Sequence, residues 1–397
     1  MATETVGRRA VLGGAGLAAF ITLAHVLNDV FQHMLPVLLP TLQVRFGLTE
    51  TLLAVLVAVL FFSSSVLQPL GGALSDRFGR RLVAAGGVIA CVSLLSLVGI
   101  APTVLMLMLL LFFGGLGSAA FHPAGTSIAR GAMESRKDLV TSIFISGGTI
   151  GASIGPVIIL FVIGRYGLEA MPWLMIPGVI IGILIYLLVE PQPRASGAER
   201  AKLFDWGLLS GPVGALCASG ILRTMTWVTF PNAMPLYLVA VHGVDRGATI
   251  IGLTVGLFAL SGGAGGILAS MLAGRYDRRY LITGSMLLAL PALLVTLHAV
   301  PGTLAYFTAV AVAGAMTNAA LPLMIVSAQD LAPHAVGTAT GLLMGFTWGT
   351  AGVIYIGIGA LQETIGFAPA MQVSYFCLIP AALLAHLVLS RARRRAP

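Results

Sequence analysis

Long apolar segments separated by short polar connections run the whole length of this chain. About 20 apolar residues suffice for a helix to cross a bilayer. No sustained alternation of apolar and polar residues is present, which argues against a membrane β-barrel. The pattern therefore predicts an all-α membrane protein with twelve transmembrane helices. The predicted spans cover roughly 14–40, 51–74, 82–101, 103–130, 139–163, 171–190, 208–240, 249–273, 280–299, 302–328, 335–361 and 367–390.

The first span carries a row of polar side chains inside an apolar run. His25, Asn28, Asp29, Gln32 and His33 follow one another at intervals that place them on one face of a helix. A charge at the centre of a membrane helix costs roughly 3 kcal/mol on insertion scales. We therefore expect this face to line a substrate or proton route. The alternative is that Asp29 lies near a helix end and that His25 hydrogen-bonds a neighbouring helix.

The composition agrees with a membrane protein. Of the 397 residues, 58% are hydrophobic and only 9% are charged, more apolar surface than a soluble core can hide. The net charge of +8 would suggest a nucleic-acid partner in a soluble protein, but here the basic residues lie in short loops, so none is expected. All three cysteines fall inside apolar runs and are interpreted as buried hydrophobic residues. We predict no metal site and no cofactor.

The basic residues also predict the orientation. Eighteen of the lysines and arginines fall on one side of the predicted spans and three on the other, while Arg223 lies within a span. Because positive loops stay in the cytoplasm, both termini should be cytoplasmic. We expect a multi-pass protein of the bacterial inner membrane, acting as a monomer.

The two halves of the chain repeat each other. The loop after span 2 reads GGALSDRFGRR (71–81), and the loop after span 8, 198 residues later, reads ASMLAGRYDRR (269–279). The second copy has Gly274 where the first has Asp76. Pro123 in span 4 and Pro322 in span 10 are likewise 199 residues apart. We predict two pseudo-symmetric six-helix bundles, 1–190 and 208–397, joined by a cytoplasmic linker, 191–207.

The loop after span 2 resembles the signature of the major facilitator superfamily, at the place where that family has it. The resemblance implies twelve helices and alternating access, with the loop acting as a latch between the halves. Physically, Asp76 can lie against the N-terminus of span 11, where the helix dipole favours negative charge. The alternative is that these charges only set the topology. The predicted latch residues are Gly72, Asp76, Arg77, Gly79, Arg80 and Arg130.

Two further patterns narrow the resemblance. Span 5 contains Gly147, Gly151, Gly155 and Pro156, which resembles the glycine–proline signature of proton-coupled antiporters, although Ser142 stands where that pattern begins with glycine. We expect these glycines to pack against span 8, because small residues let helices approach closely. His25-x-x-Asn28-Asp29 together with Phe121-His122-Pro123 is similar to the fosmidomycin-resistance group of bacterial exporters.

Arg223 is the candidate for binding a substrate. It lies in span 7, 198 residues after His25, which is the offset between the two repeated loops. The resemblance implies that spans 1, 4, 7 and 10 line a central cavity. A guanidinium there could grip an anionic head group in bidentate fashion. The alternative is a structural ion pair with Asp29. The predicted substrate-binding residues are Arg223, Asn28, Gln32, Trp227, Asn232 and Asn318.

Asp29 is the leading candidate for carrying a proton, because the proton affinity of a carboxylate depends on burial and on nearby cations. His25 and His122 are alternative carriers, since histidine titrates near neutrality. His122 could instead be a gate, a substrate contact or a packing residue.

These patterns predict a secondary transporter, a proton-coupled antiporter that exports a small polar or anionic compound such as a fosmidomycin-like drug or a related metabolite. The alternative is a proton-coupled importer or facilitator of an organic anion. An enzyme is disfavoured because the chain has no HExxH or GxSxG motif, and a nucleotide-driven pump because it has no P-loop. The expected partners are a small-molecule substrate, protons and the lipid bilayer.

Overall fold

The computed structural model of this protein describes residues 12–191, 206–333 and 335–395. Within these ranges, eleven helices are long and apolar enough to cross a membrane, and a bent helix pair makes a twelfth span. The prediction of an all-α protein with twelve spans is therefore confirmed. Nearly all of the predicted linker, 191–207, lies outside the described residues.

Apart from the stretch between Leu188 and Pro212, which lies largely outside the described ranges, the connections between successive spans are short. In order the spans are Gly14–Phe46, Glu50–Phe78, Arg80–Ile100, Val104–Ala132, Lys137–Tyr166, Leu168–Leu188, Pro212–His242, Thr249–Leu272, Arg278–His298, Leu304–Leu331, Val336–Ile365 and Phe367–Arg394. We number them 1 to 12. The end of the bundle that carries Arg77, Arg130 and Arg278 is called the basic end, and the end that carries residues 47–49 is called the opposite end.

Span 1 is interrupted near its polar stripe. Its first piece ends at Gln32 and its second begins at Leu35, next to Pro36, which has no N–H to offer to the preceding turn. Span 2 bends by 43° at Leu67, after a π-helical turn at Phe62–Val66. Such breaks free backbone groups from helix bonding and tend to occur where a helix must reorient. Asp29 thus occupies the last turn of the first helical piece of span 1.

The glycine row of span 5 packs against span 1. A methyl group at Gly151 would overlap the carbonyl oxygen of Val26, and one at Gly155 would lie 2.6 Å from that of Val30. The prediction that this row contacts span 8 is therefore wrong. Residues at intervals of four share one helix face, and the neighbour that comes closest to this face is span 1 of the same half.

The opposite face of span 5 does contact span 8, but there the glycines belong to span 8. Gly256 lies against the Ser153 carbonyl, and a methyl group at Gly263 would overlap the Thr149 side chain. Ser153 is two residues from Gly151, which turns it about 200° around the helix. Span 5 therefore connects its own half through one face and the second half through the other.

The two halves also meet between spans 2 and 11. Gly352 faces Phe61, and Gly359 faces Ala54. Nearer the opposite end, the carboxylate of Glu363 accepts a hydrogen bond of 2.7 Å from the backbone N–H of Thr51. Together with the span 5–span 8 contacts, these contacts run from the middle of the bundle to the opposite end. In this conformation the halves are held together away from the basic end.

The repeated loop makes equivalent contacts in both halves. Arg81 lies over the Tyr186 ring at 4.6 Å, at the end of span 6. Its counterpart Arg279, 198 residues later, reaches Ser390 of span 12 at 3.3 Å. Arg279 also hydrogen-bonds Asp277 at 2.7 Å, which lowers the pKa of that carboxyl to about 2. Each copy thus ties the start of one helix to the last helix of its own half.

Candidate functional site

Three ionisable side chains from spans 1 and 4 meet inside the first half. The Asp29 carboxylate lies 3.5 Å from Nε2 of His25 and 3.3 Å from Nε2 of His122. We call these three residues the Asp29 cluster. The Asp29 side chain is only 10% exposed and that of His122 is 24% exposed. The sequence predicted these three residues as candidates for proton coupling, and the fold brings them into contact.

Neighbouring polar groups hold the carboxylate in place. Asn28, which is fully buried, donates a hydrogen bond of 3.0 Å to Oδ1 of Asp29 and one of 2.9 Å to Oγ of Ser118 in span 4. Ser118 precedes His122 by one helical turn, so the same face of span 4 supplies both groups. A helix pair fixed by these contacts gives the carboxylate a defined position.

Both histidine rings are oriented by backbone carbonyls. Nδ1 of His25 lies 2.7 Å from the carbonyl oxygen of Phe144 in span 5, and Nδ1 of His122 lies 2.8 Å from that of Ser118. The His25 ring also stacks on the Phe144 ring, with centroids 4.1 Å apart. One ligand atom from each member of the Asp29 cluster lies within 4.8 Å of the others, a spacing at which they could share a cation.

These contacts include both features of the alternative interpretation of the sequence. Asp29 does lie in the last turn of a helix, and His25 does hydrogen-bond a neighbouring helix. The two interpretations are compatible, because the helix end lies inside the bundle. Neither the helix-end position of Asp29 nor the hydrogen bond of His25 changes the fact that a carboxylate is buried beside two histidines.

Arg223 lies in the second half and is fully buried. Its guanidinium donates to the Thr317 carbonyl and to Oδ1 of Asn318, both at 3.2 Å, and to Oγ1 of Thr224 at 3.0 Å. Its Nε finds no partner among the described residues. No described carboxylate lies within 4.0 Å, so the alternative of an ion pair with Asp29 is not formed in this conformation.

Aromatic rings lie beside Arg223, on the next turn of span 7. The Trp227 ring is 4.8 Å from Phe258 and 6.4 Å from Trp348 of span 11. Trp348 in turn lies 6.0 Å from Phe61 of span 2, which belongs to the other half. This row of rings joins the second half to the first.

The remaining predicted substrate residues are dispersed. Asn318, besides accepting from Arg223, donates to the Gly262 carbonyl at 3.2 Å. Asn232 is buried and donates to the Val228 carbonyl of its own helix at 2.7 Å. Gln32 is half-buried, and its Oε1 has no partner among the described residues. Only Asn28 and Asn318 thus contact the ionisable groups directly.

The predicted latch residues lie at the basic end. Asp76, Arg77 and Arg130 are exposed, and no ion pair joins Asp76 to Arg130 within the described ranges. Gly79 has a φ of 95° and starts span 3, a conformation that suits glycine. The halves meet at the opposite end here, and among the described residues Asp76 forms no hydrogen bond or ion pair with span 11, so the latch remains a prediction.

Sequence reasoning missed three neighbours of the Asp29 cluster: Phe144, Gly148 and Ser118. Ser118 could have been found, because it lies one turn before His122 on the same helix face. Phe144 and Gly148 belong to span 5, whose contact with span 1 was not predicted. A methyl group at Gly148 would lie 2.7 Å from Oδ2 of Asp29, so a side chain there would intrude on the cluster.

Comparison with known proteins matches this chain over nearly its full length. The family model of the Major Facilitator Superfamily matches residues 21–390. Among curated proteins, the MFS-type transporter YfnC of Bacillus subtilis is 29% identical over 88% of this chain and 87% of its own length. The fosmidomycin resistance protein of Escherichia coli is 27% identical over 88% and 86%, and the hexuronate transporter of Escherichia coli is 24% identical over 90% and 89%.

Solved structures agree on the fold. A bacterial homologue of the human lysosomal transporter Spinster, in an inward-facing and occupied conformation, superposes with a TM-score of 0.76 over 95% of this chain and 97% of that one, at 15% identity. A variant of the nucleoside transporter NupG also has a TM-score of 0.76, over 94% and 99%, at 14% identity. At such identities the likeness concerns the fold alone.

Proposed function

Because this chain belongs to the major facilitator superfamily and is a multi-pass membrane transporter, we propose that it is a proton-coupled antiporter that exports a small polar or anionic compound. The observation that carries this proposal is the pair of buried ionisable sites, the Asp29 cluster in span 1 and span 4 and Arg223 in span 7. Family and fold are those of transporters and not of enzymes.

Burial of the Asp29 cluster supports proton coupling. Ionisable residues inside membrane spans are costly and usually serve ion or substrate paths. His122 and Asp29 are 3.3 Å apart and come from different spans, so a change in the packing of spans 1 and 4 changes the proton affinity of both. A group whose proton affinity differs between two conformations can take up a proton on one side and release it on the other.

The unpaired charge of Arg223 supports an anionic substrate. A buried guanidinium is expensive unless an anion compensates it, and the described residues offer only neutral acceptors within hydrogen-bond distance. A carboxylate, phosphonate or hydroxamate head group could accept from the fork of N–H groups in bidentate fashion. Trp227, one turn further along span 7, could then pack against the rest of the ligand.

Alternating access would follow from the way the halves meet. We propose that 1–190 and 208–397 move as two bundles about the central site, with the basic end facing the cytoplasm of a bacterial inner membrane. The contacts of spans 2 and 5 with spans 11 and 8 would break when the opposite end opens. Asp76, Arg77 and Arg130 would form their latch only when the basic end closes.

The proposal is tested by transport into proteoliposomes with fosmidomycin and glucuronate as probes, chosen because relatives of this chain are named for such compounds. With an acidic interior, antiport drives the probe inward as protons leave. Asp29→Asn should abolish this gradient-driven uptake while retaining exchange of probe for probe. Asp330→Asn, which removes an exposed carboxylate paired with Arg278, serves as the control and should behave as the wild type.

The direction of coupling decides between the two candidate functions. Uptake driven by an acidic exterior, and not by an acidic interior, would replace antiport with the alternative of proton-coupled import. Normal gradient-driven uptake by Asp29→Asn would remove the Asp29 cluster from coupling altogether.

A further inference from the structure

The orientation of the two histidine rings assigns the proton within the Asp29 cluster, and this assignment rests on the proposed function. We infer that the coupling proton is carried on Nε2 of His25 and His122, and that Asp29 remains an ionised carboxylate as their counter-ion. The sequence alone favoured Asp29 as the carrier. The geometry points to the histidines instead.

Each histidine ring has a defined tautomer. A backbone carbonyl can only accept hydrogen bonds, so a ring nitrogen at 2.7 or 2.8 Å from a carbonyl oxygen must carry a hydrogen. Nδ1 of both histidines is therefore occupied in every protonation state that keeps these contacts. Proton exchange at either ring is confined to Nε2.

Nε2 of each ring faces the same carboxylate. Both point at the Asp29 carboxylate, at 3.5 and 3.3 Å. If both rings were neutral, two nitrogen lone pairs would face carboxylate oxygens, and acceptors would oppose acceptors. A single proton on Asp29 could bridge to only one of the two rings. A single proton on one ring likewise satisfies only one contact. Both contacts become favourable only when two protons are bound, and at least one of the two must then reside on a histidine.

The imidazole and the carboxylate differ in proton affinity, which decides where the proton resides. An unperturbed imidazole binds a proton roughly 400-fold more tightly than an unperturbed aspartate carboxylate. Here the carboxylate also accepts a hydrogen bond from Asn28, which favours its ionised form. One imidazolium beside one carboxylate is net neutral, the arrangement best tolerated inside a membrane protein.

The two histidines differ in access. The side chain of His122 is 24% exposed and that of His25 only 7%. The two rings meet edge to face, with centroids 4.9 Å apart. Loading transfers a proton from a hydronium ion to the Nε2 lone pair of His122, and the hydronium ion becomes a water molecule. His25 exchanges with water only through its two partners, and unloading returns the proton to water once the cluster is reached from the other side.

The surroundings contain few competing groups. Cys91 of span 3 contacts the backbone of span 1, and Phe144 of span 5 presents its carbonyl and ring. Within the described residues, the polar or titratable side chains that face the cluster are Asn28, His33, Cys91 and Ser118. The only additional histidine, His33, bonds the Asp29 backbone and not its carboxylate.

The assignment is tested by infrared difference spectroscopy of the purified protein in lipid nanodiscs, as pH is lowered first without and then with a metal chelator. The unmodified sequence is labelled with isotopes, first on aspartate and then on histidine. We expect the response near neutral pH to shift with the histidine label only. The response should be lost in the His25→Gln, His122→Gln double variant and retained in His298→Gln, which changes an exposed histidine.

Two outcomes would overturn the assignment. One is a protonated-carboxyl stretch that shifts with the aspartate label and disappears in Asp29→Asn. The other is a histidine response that appears only after the chelator is added, since the cation shared by the cluster would then be a metal ion. Either outcome leaves proton-driven transport of the probes intact, so it is distinguishable from failure of the proposed function.

Discussion

At the scale of single residues, Gly148 sets the spacing of the Asp29 cluster. Its backbone in span 5 passes so close to the cluster that a methyl group would lie 2.6 Å from Cε1 of His25 and 2.7 Å from Oδ2 of Asp29. Contacts between unbonded atoms at these distances are repulsive. Only glycine therefore lets the carboxylate and the imidazole keep their present separation.

We expect Gly148→Ala to reduce transport driven by a pH gradient by about tenfold or more, because overpacking forces side chains to move at a cost of about 1–3 kcal/mol. Binding of the probe should be affected less than coupling. The measurement is uptake into proteoliposomes with and without a pH gradient. Gly86→Ala is the matched control, since a methyl group at this exposed glycine of span 3 meets no atom within 4 Å. Equal gradient-driven uptake by both variants would refute the role of Gly148.

Periodicity in the sequence predicted His25, Asn28 and Asp29 as one face, because residues on one helix obey a fixed rotation per residue. It could not predict Phe144 or Gly148, whose contact with that face depends on which helix packs there. It also could not predict that both histidines would bond carbonyls through Nδ1. The chemistry of the site was therefore visible in the sequence, while its tautomers were not.

At the scale of helices, span 5 has two glycine-dependent contacts with different consequences. Its own row, represented by Gly151, lies against span 1 within the first half. On its other face, Gly256 of span 8 lies against Ser153 and so belongs to the boundary between the halves. Widening the first contact disturbs the packing of one half, whereas widening the second disturbs only the conformation that joins the halves.

Two alanine substitutions separate these roles. Gly151→Ala should lower the unfolding temperature, by the equivalent of about 2 kcal/mol, because it forces apart helices that stay packed in every state. Gly256→Ala should leave the unfolding temperature nearly unchanged and shift the population toward the state open at the opposite end. Thermal unfolding and spin-label distances across the basic end measure the two effects.

Gly266→Ala, in the same helix, is the control, because its methyl group would make only ordinary contacts at 3.7 to 3.9 Å. A destabilised Gly256→Ala protein with unchanged spin-label distances would contradict the distinction between the two faces of span 5.

At the scale of the whole molecule, spans 2 and 11 run antiparallel across the boundary between the halves, and each helix carries a carboxylate near its end, Asp76 in span 2 and Glu363 in span 11. At the opposite end, Glu363 accepts from the backbone N–H of Thr51 in the first turn of span 2. Such a contact is favoured by the helix dipole. Asp76 at the basic end is exposed in this conformation. We predict that it lies against the start of span 11 in the conformation in which the basic end is closed.

We expect Glu363→Gln to shift the equilibrium away from this conformation by a factor of roughly 3, since a charged acceptor is replaced by a neutral one. Spin-label distances across the basic end should shorten on average. Glu50→Gln is the control, because Glu50 lies at the same end but bonds Gln43 within its own half. Identical distance distributions for Glu363→Gln and Glu50→Gln would show that the Glu363–Thr51 contact does not stabilise this conformation.

The sequence by itself determined the membrane-spanning class, the number of spans, the family and the ionisable residues that stand out from their apolar surroundings. These features depend on local composition and on periodicity along one helix, which the order of residues contains directly. Only the tertiary structure decided that the span 5 glycines face span 1, that no described carboxylate pairs with Arg223 in this conformation, and that Glu363 bridges the halves. Those facts depend on which helix faces become neighbours, and many apolar faces are interchangeable until the whole bundle is packed.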